Sequence, residues 1–167
     1  MSGFVSQNRT FSLFIIIIIH IFDPSKNKIM TNQEIHDICK EYRIRNYTIN
    51  PDGSIDVDDS VDLFNYNLNK IPLKFNKVDG YFDISHNNIT SLEGSPKIVT
   101  SWFDCSHNKL TNLKGIETVD RFIFCKNNPL ESLEGYNNDY DKLDCENINE
   151  LILKTKRKQK LKILEKL

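Results

Sequence analysis

The chain has 167 residues, the size of one domain. Lys plus Arg total 22 against 23 Asp plus Glu, a formal net charge of -1, so bulk charge selects no polyanionic partner. Four cysteines with no C-x-x-C pair give no zinc-binding knuckle.

Residues 1–29 come first. Phe11–Phe22 is apolar apart from Ser12 and His20. A membrane-spanning helix needs about 20 apolar residues, so this run is too short and no transmembrane span is expected. Arg9 ahead of it gives a signal-like shape, but no small-x-small cleavage site comes after it. Met30 stands directly before a helix start signal. Residues 1–29 therefore read as an apolar extension, upstream of a misassigned start and outside the fold. A signal or anchor is the other reading. If translated, the β-branched isoleucine run is an aggregation hazard.

Residues 30–60 read as an N-terminal cap built from a helix and a hairpin. Thr31 and Glu34 have the spacing of a capping box. Ile35, Ile38, Cys39 and Tyr42 then form an apolar stripe, which predicts an amphipathic helix from Asn32 to about Arg43. Thr48-Ile49 and Ser54–Val57 flank Asn50-Pro51-Asp52-Gly53, a turn in which Pro presets φ and Gly supplies φ > 0. The expected role of helix and hairpin is to cover the open edge of the first repeat, which begins at residue 61. Asp52, Asp56, Asp58, Asp59 and Asp62 lack the calcium-loop spacing, because Gly53 comes directly after the first aspartate.

From residue 61 to 149 the chain repeats every 20 or 21 residues. One apolar column is Val61, Phe82, Phe103, Ile123 and Leu143, and a second is Leu63, Ile84, Cys105, Cys125 and Cys145. The alternation with polar neighbours is that of a strand with one buried face. Asn87, Asn108 and Asn128 end the strands, where a buried bend needs side-chain donors and acceptors. Asn138 reads as a loop position outside this ladder. Leu68, Ile89, Leu110 and Leu130 return to the core, and after them Ile71, Leu92, Leu113 and Leu133. Gly94, Gly115 and Gly135 stand where the chain turns back. A period this short, with a core that no single repeat can bury, means stacked neighbours. The expected fold is an α/β repeat: a small leucine-rich-repeat solenoid with parallel β-strands, an N-terminal helix-hairpin cap and a C-terminal helical cap.

The segments Cys105-Ser-His-Asn-Lys-Leu-Thr-Asn-Leu-Lys-Gly115 and Ser91-Leu-Glu-Gly-Ser-Pro-Lys97 resemble a cysteine-bearing leucine-rich-repeat family found in bacteriophages and other large DNA viruses. Tyr47–Val57 and Ile71-Pro-Leu-Lys-Phe75 share the resemblance, which runs from about Thr31 to the C-terminus. It implies a solenoid with an interaction role and carries over no catalytic residue. The chain departs from the family's regularity at both ends, where Tyr66 and Ile148 replace the ladder asparagine.

Residues 150–167 read as a basic C-terminal helix. Leu153, Leu161, Ile163, Leu164 and Leu167 are its expected apolar side. Lys154, Lys156, Arg157, Lys158, Lys160 and Lys162 form a basic run. The plain reading is a capping helix with a solvated cationic face. The functional one is contact with nucleic acid or another anionic surface through Lys154, Lys156, Arg157, Lys158 and Lys160.

No nucleophile–base pair and no phosphate-binding glycine loop can be assigned, so no enzyme and no cofactor is expected. Cys105, Cys125 and Cys145 read as small buried hydrophobes with reduced thiols. In-register neighbours come close enough for a disulfide, but the geometry is demanding. Reduced thiols point to the cytoplasm, that of the host for a viral chain, with secretion through residues 1–29 as the alternative. His86 with His107 and Asp83 with Asp104 share repeat positions, and the plain reading is stacking of equivalents rather than a metal site. The outward strand positions should line a concave face. Trp102, Phe122 and Phe124 with Asp83, Asp104 and Lys126 are the candidate partner-binding residues; the plain reading instead packs Tyr81, Trp102 and Phe122 at the strand starts under a neighbouring loop. The leading expectation is a non-catalytic module that binds a protein, with nucleic acid second.

Overall fold

The computed structural model describes residues 30–134, 136 and 140–165; the apolar run at 11–22, Gly135, Asn138 and Leu167 lie outside them. The chain divides into Met1–Met30 and Thr31–Leu167, and the fold is that of the second unit. It is a parallel β-solenoid of about four turns ending in a helix.

Helix α1 spans Asn32–Glu41. Thr31 caps it: its Oγ1 accepts from the Glu34 amide at 3.2 Å, and Glu34 Oε2 accepts from the Thr31 amide at 2.8 Å. Ile35 and Cys39 are fully buried, and Ile38 and Tyr42 pack against the same core. Strands β1 (Tyr47–Ile49) and β2 (Ile55–Val57) form the antiparallel hairpin, with Gly53 at φ 75° in its turn. The sequence suggested that this hairpin lies over the edge of the first repeat. Its second strand, β2, pairs parallel with the strand at Phe75–Val78 of that repeat, in a second sheet.

Each turn carries two short strands. β3 (Val61–Asp62), β5 (Phe82–Asp83), β7 (Phe103–Asp104), β9 (Ile123–Phe124) and β10 (Leu143–Asp144) make one parallel sheet, in the register expected from the period. β1 and β2 continue into β4 (Phe75–Val78), β6 (Ile98–Val99) and β8 (Thr118–Val119), which the sequence reading did not anticipate. Val57, Val78, Val99 and Val119 lie in register down this second sheet, all buried. The core lies between the sheets. Phe82, Phe103, Leu63, Ile84, Leu92, Leu110 and Leu113 are nearly or wholly buried there.

The asparagine ladder closes the bends. Asn108 Oδ1 accepts from the Ile89 amide at 2.9 Å, and its Nδ2 donates to the carbonyls of Ile84 (2.8 Å), Cys105 (3.2 Å) and Ser106 (3.2 Å). Asn87 and Asn128 repeat the pattern one turn before and one turn after. Asn65, His86, His107, Asn127 and Asn147 fill a further column, all with φ between 52° and 57°. This left-handed conformation suits Asn and His far better than branched residues.

Two expectations are corrected at the C-terminal end. Cys125 and Cys145 form a disulfide, with Cα atoms 5.0 Å apart. The parallel register of β9 and β10 sets equivalent cysteines opposite one another, inside the usual disulfide span. Cys39 and Cys105 are free thiols, both buried. Helix α2 (Ile148–Leu164) starts two residues earlier than expected and buries Leu151 and Thr155. Leu153, Leu161, Ile163 and Leu164, the expected inner side, are more than half exposed. The inner face is a different stripe, Ile148, Leu151, Ile152 and Thr155, anchored by the Thr155 hydroxyl accepting from the Leu133 amide at 2.9 Å.

Cys105 carries a testable prediction. Its side chain is fully buried, and burial pushes its thiol pKa well up. Its Sγ lies 3.4 Å from the Phe124 carbonyl. Serine has a shorter reach and a stronger need for a partner. Cys105→Ser is expected to cost about 1–3 kcal/mol and Cys105→Ala less, read from urea melts. Cys105 should also resist alkylation in the native state; fast labelling would contradict the buried column.

Candidate functional site

The outward residues of the β3–β5–β7–β9–β10 sheet form the candidate site. Strand alternation sends Val61, Phe82 and Phe103 inward and Asp62, Asp83, Asp104, Phe124 and Asp144 outward. Just before each strand stand Tyr81, Trp102 and Phe122. Because the turns are in register, these positions stack at the strand spacing of about 4.8 Å. Tyr81 and Trp102 stack face to face, with centroids 4.4 Å apart and planes 1° off parallel. Phe124 meets Trp102 edge-on at 6.2 Å. Phe122 is 55% exposed, whereas Tyr81, Trp102 and Phe124 are half-buried. The structure thus brings the rings of Tyr81, Trp102 and Phe124 together. It packs Trp102 between its neighbours and leaves Phe122 open.

The aspartates have a local task. Each Oδ1 accepts from the amide two residues on: Asp62 from Phe64 (3.0 Å), Asp83 from Ser85 (2.8 Å), Asp104 from Ser106 (2.8 Å). These are Asx turns that close the strand ends. Asp83 also accepts from the Ser85 hydroxyl at 2.7 Å. Burial raises the Asp83 pKa, and the charges of Asp104 and Asp62 push the same way against the lowering effect of the Ser85 bonds. The face therefore concentrates negative charge where water is partly excluded. Lys126 is drawn to Asp144 at 2.6 Å, so it serves first as that residue's ion partner.

Beside this column Phe64, 49% exposed, meets His86 edge-on at 5.1 Å. His86 and His107 stack at 4.0 Å, and His107 Nε2 lies 3.0 Å from Asn127 Nδ2. Stacked rings do not converge on an ion, and among the described residues no group of three His, Cys, Asp or Glu is placed to hold a metal.

The alternative site lies on α2. Lys154 pairs with Glu150 at 2.8 Å, and Lys162 pairs with Glu134 at 2.7 Å. Both carboxyls are held below their ordinary pKa by these lysines. Lys156, Arg157, Lys158 and Lys160 are exposed and have no ion pair among the described residues. A cavity of about 90 Å³ lies beside the helix start, lined by Cys125, Asn128, Asn147, Leu151 and Lys154 among others. It falls well below the several hundred Å³ of a typical small-molecule site. No helix among the described residues is long and apolar enough to cross a membrane.

The left-handed column escaped the sequence reading, although its restriction to Asn and His was a usable signal. Comparison with protein-family models, curated proteins and solved structures finds no match to this chain.

Proposed function

We propose that this chain is a small leucine-rich-repeat solenoid that acts as a non-catalytic protein-interaction module. Helix α1 and the β1–β2 hairpin serve as its N-terminal cap, and the partner binds on the outer face of the β3–β5–β7–β9–β10 sheet. One observation carries the reading: Phe122 stands open beside a stacked Tyr81–Trp102 pair on an ordered, repeated surface. Clustered aromatics are common anchors of protein interfaces. The 20- and 21-residue period supports the repeat class, and the column arrangement offers side chains rather than a cleft.

Affinity capture with the full chain tests it. Phe122→Asp should lose the partner while the thermal midpoint stays within about 2 °C, because Phe122 supports little of the core. Binding should survive a rise in salt, since aromatic anchoring is only weakly screened. Capture that persists in both Phe122→Asp and Trp102→Ala would overturn the reading.

A further inference from the structure

Helix α2 has two faces of different destiny. Ile148, Leu151, Ile152 and Thr155 pack on the last turn of the solenoid. On the opposite face stand Leu153, Arg157, Lys160, Leu161 and Leu164, at the i, i+4, i+7, i+8, i+11 spacing of a single helical stripe. Leu153, Leu161 and Leu164 are 55%, 58% and 56% exposed. From Lys156 to Glu165 every residue is exposed. Between Leu151 and Leu164 there are six Lys or Arg residues and no Asp or Glu.

We propose that this outward face of α2 docks onto a lipid bilayer carrying anionic headgroups. The charge fits: Arg157 and Lys160 lie in the stripe, Lys156 is close by, and none has an ion pair among the described residues. The apolar part fits as well. Leucines at this exposure gain by entering the acyl boundary, while the long basic side chains reach up to phosphates. A nucleic acid would engage the charges but offer little to the three leucines, and no aromatic is present in the helix to stack on bases. The aromatic face stands on the sheet and this contact on α2, so the two surfaces are built from different residues.

Co-sedimentation of the full chain with vesicles decides it. Vesicles of phosphatidylcholine with about a third phosphatidylserine should bind at least about tenfold more tightly than pure phosphatidylcholine. Leu161→Ser/Leu164→Ser and Arg157→Glu/Lys160→Glu should each weaken binding about tenfold. Their circular dichroism should not change, because all four side chains are solvent-exposed. Lys160→Glu alone, weakening binding severalfold, keeps the test decisive if either double variant unfolds. Trp102→Ala should leave vesicle binding intact. Equal binding to both vesicle types would overturn the proposal and point to the apolar run at 11–22. Sensitivity to the charge changes without sensitivity to the leucine changes would overturn it in favour of a general polyanion contact. Absence of binding would overturn it outright.

Discussion

Asn108→Leu is expected to lower the free energy of unfolding by about 2–3 kcal/mol. The side-chain volume is roughly kept, so the loss comes from polar groups. The Ile89 amide and the Ile84 and Cys105 carbonyls each lose a partner in a bend that excludes water. The Ile84 carbonyl keeps Asn87 and the Cys105 carbonyl keeps Asn128 as donors, so the stranded Ile89 amide, at about 1–3 kcal/mol, carries most of the loss. Asn32→Leu, on the exposed first turn of α1, should cost less than about 0.5 kcal/mol. Urea melts of both variants give the comparison. Equal midpoints would mean that the ladder does not hold the turns together.

Gly94→Ala is expected to cost about 3 kcal/mol. Gly94 sits at φ 92°, which an L side chain rarely adopts. An added Cβ would lie 2.7 Å from the Leu73 carbonyl oxygen, a backbone atom with little freedom to move. Strain and overlap therefore add. Gly115 repeats the situation, at φ 119° and 2.8 Å from the Leu92 carbonyl oxygen, and Gly115→Ala should cost a similar amount. Thermal melts that show either alanine variant as stable as the parent would contradict the close stacking of turns.

Much of this was legible in the chain because the period fixes which residues become neighbours. The columns from Val61 to Leu143 and from Leu63 to Cys145 come directly from it, and the capping box at Thr31 and the buried ladder at Asn108 were equally plain. The later strands of the second sheet were hidden because Phe75–Val78 buries only its two ends and Ile98–Val99 and Thr118–Val119 each bury a single residue, so none shows an alternating pattern. The spacing of Val57, Val78, Val99 and Val119 was the available clue. The inner side of α2 was misjudged for a physical reason: leucines outnumber threonines in cores, yet Thr155 goes in because the Leu133 amide needs an acceptor. The disulfide depended on a distance that composition does not encode. The candidate face was legible as columns, but which aromatic stays open was decided by packing, with Trp102 held between Tyr81 and Phe124.

The direction of the asparagine ladder has a consequence for synthesis. Each asparagine serves the turn before its own: Asn87 reaches Leu63 and Leu68, Asn108 reaches Ile84 and Ile89, Asn128 reaches Cys105 and Leu110. A turn leaving the ribosome therefore keeps open bends until the next one emerges. Folding of the nascent chain should trail elongation by one turn, and a chain stopped before Asn128 would leave the Cys105 turn frayed. At the far end Ile148 has no side-chain oxygen to accept, and the Leu130 amide instead donates to the nearby Asn128 carbonyl at 2.8 Å. The last rung thus needs no successor, which lets the growing stack stop.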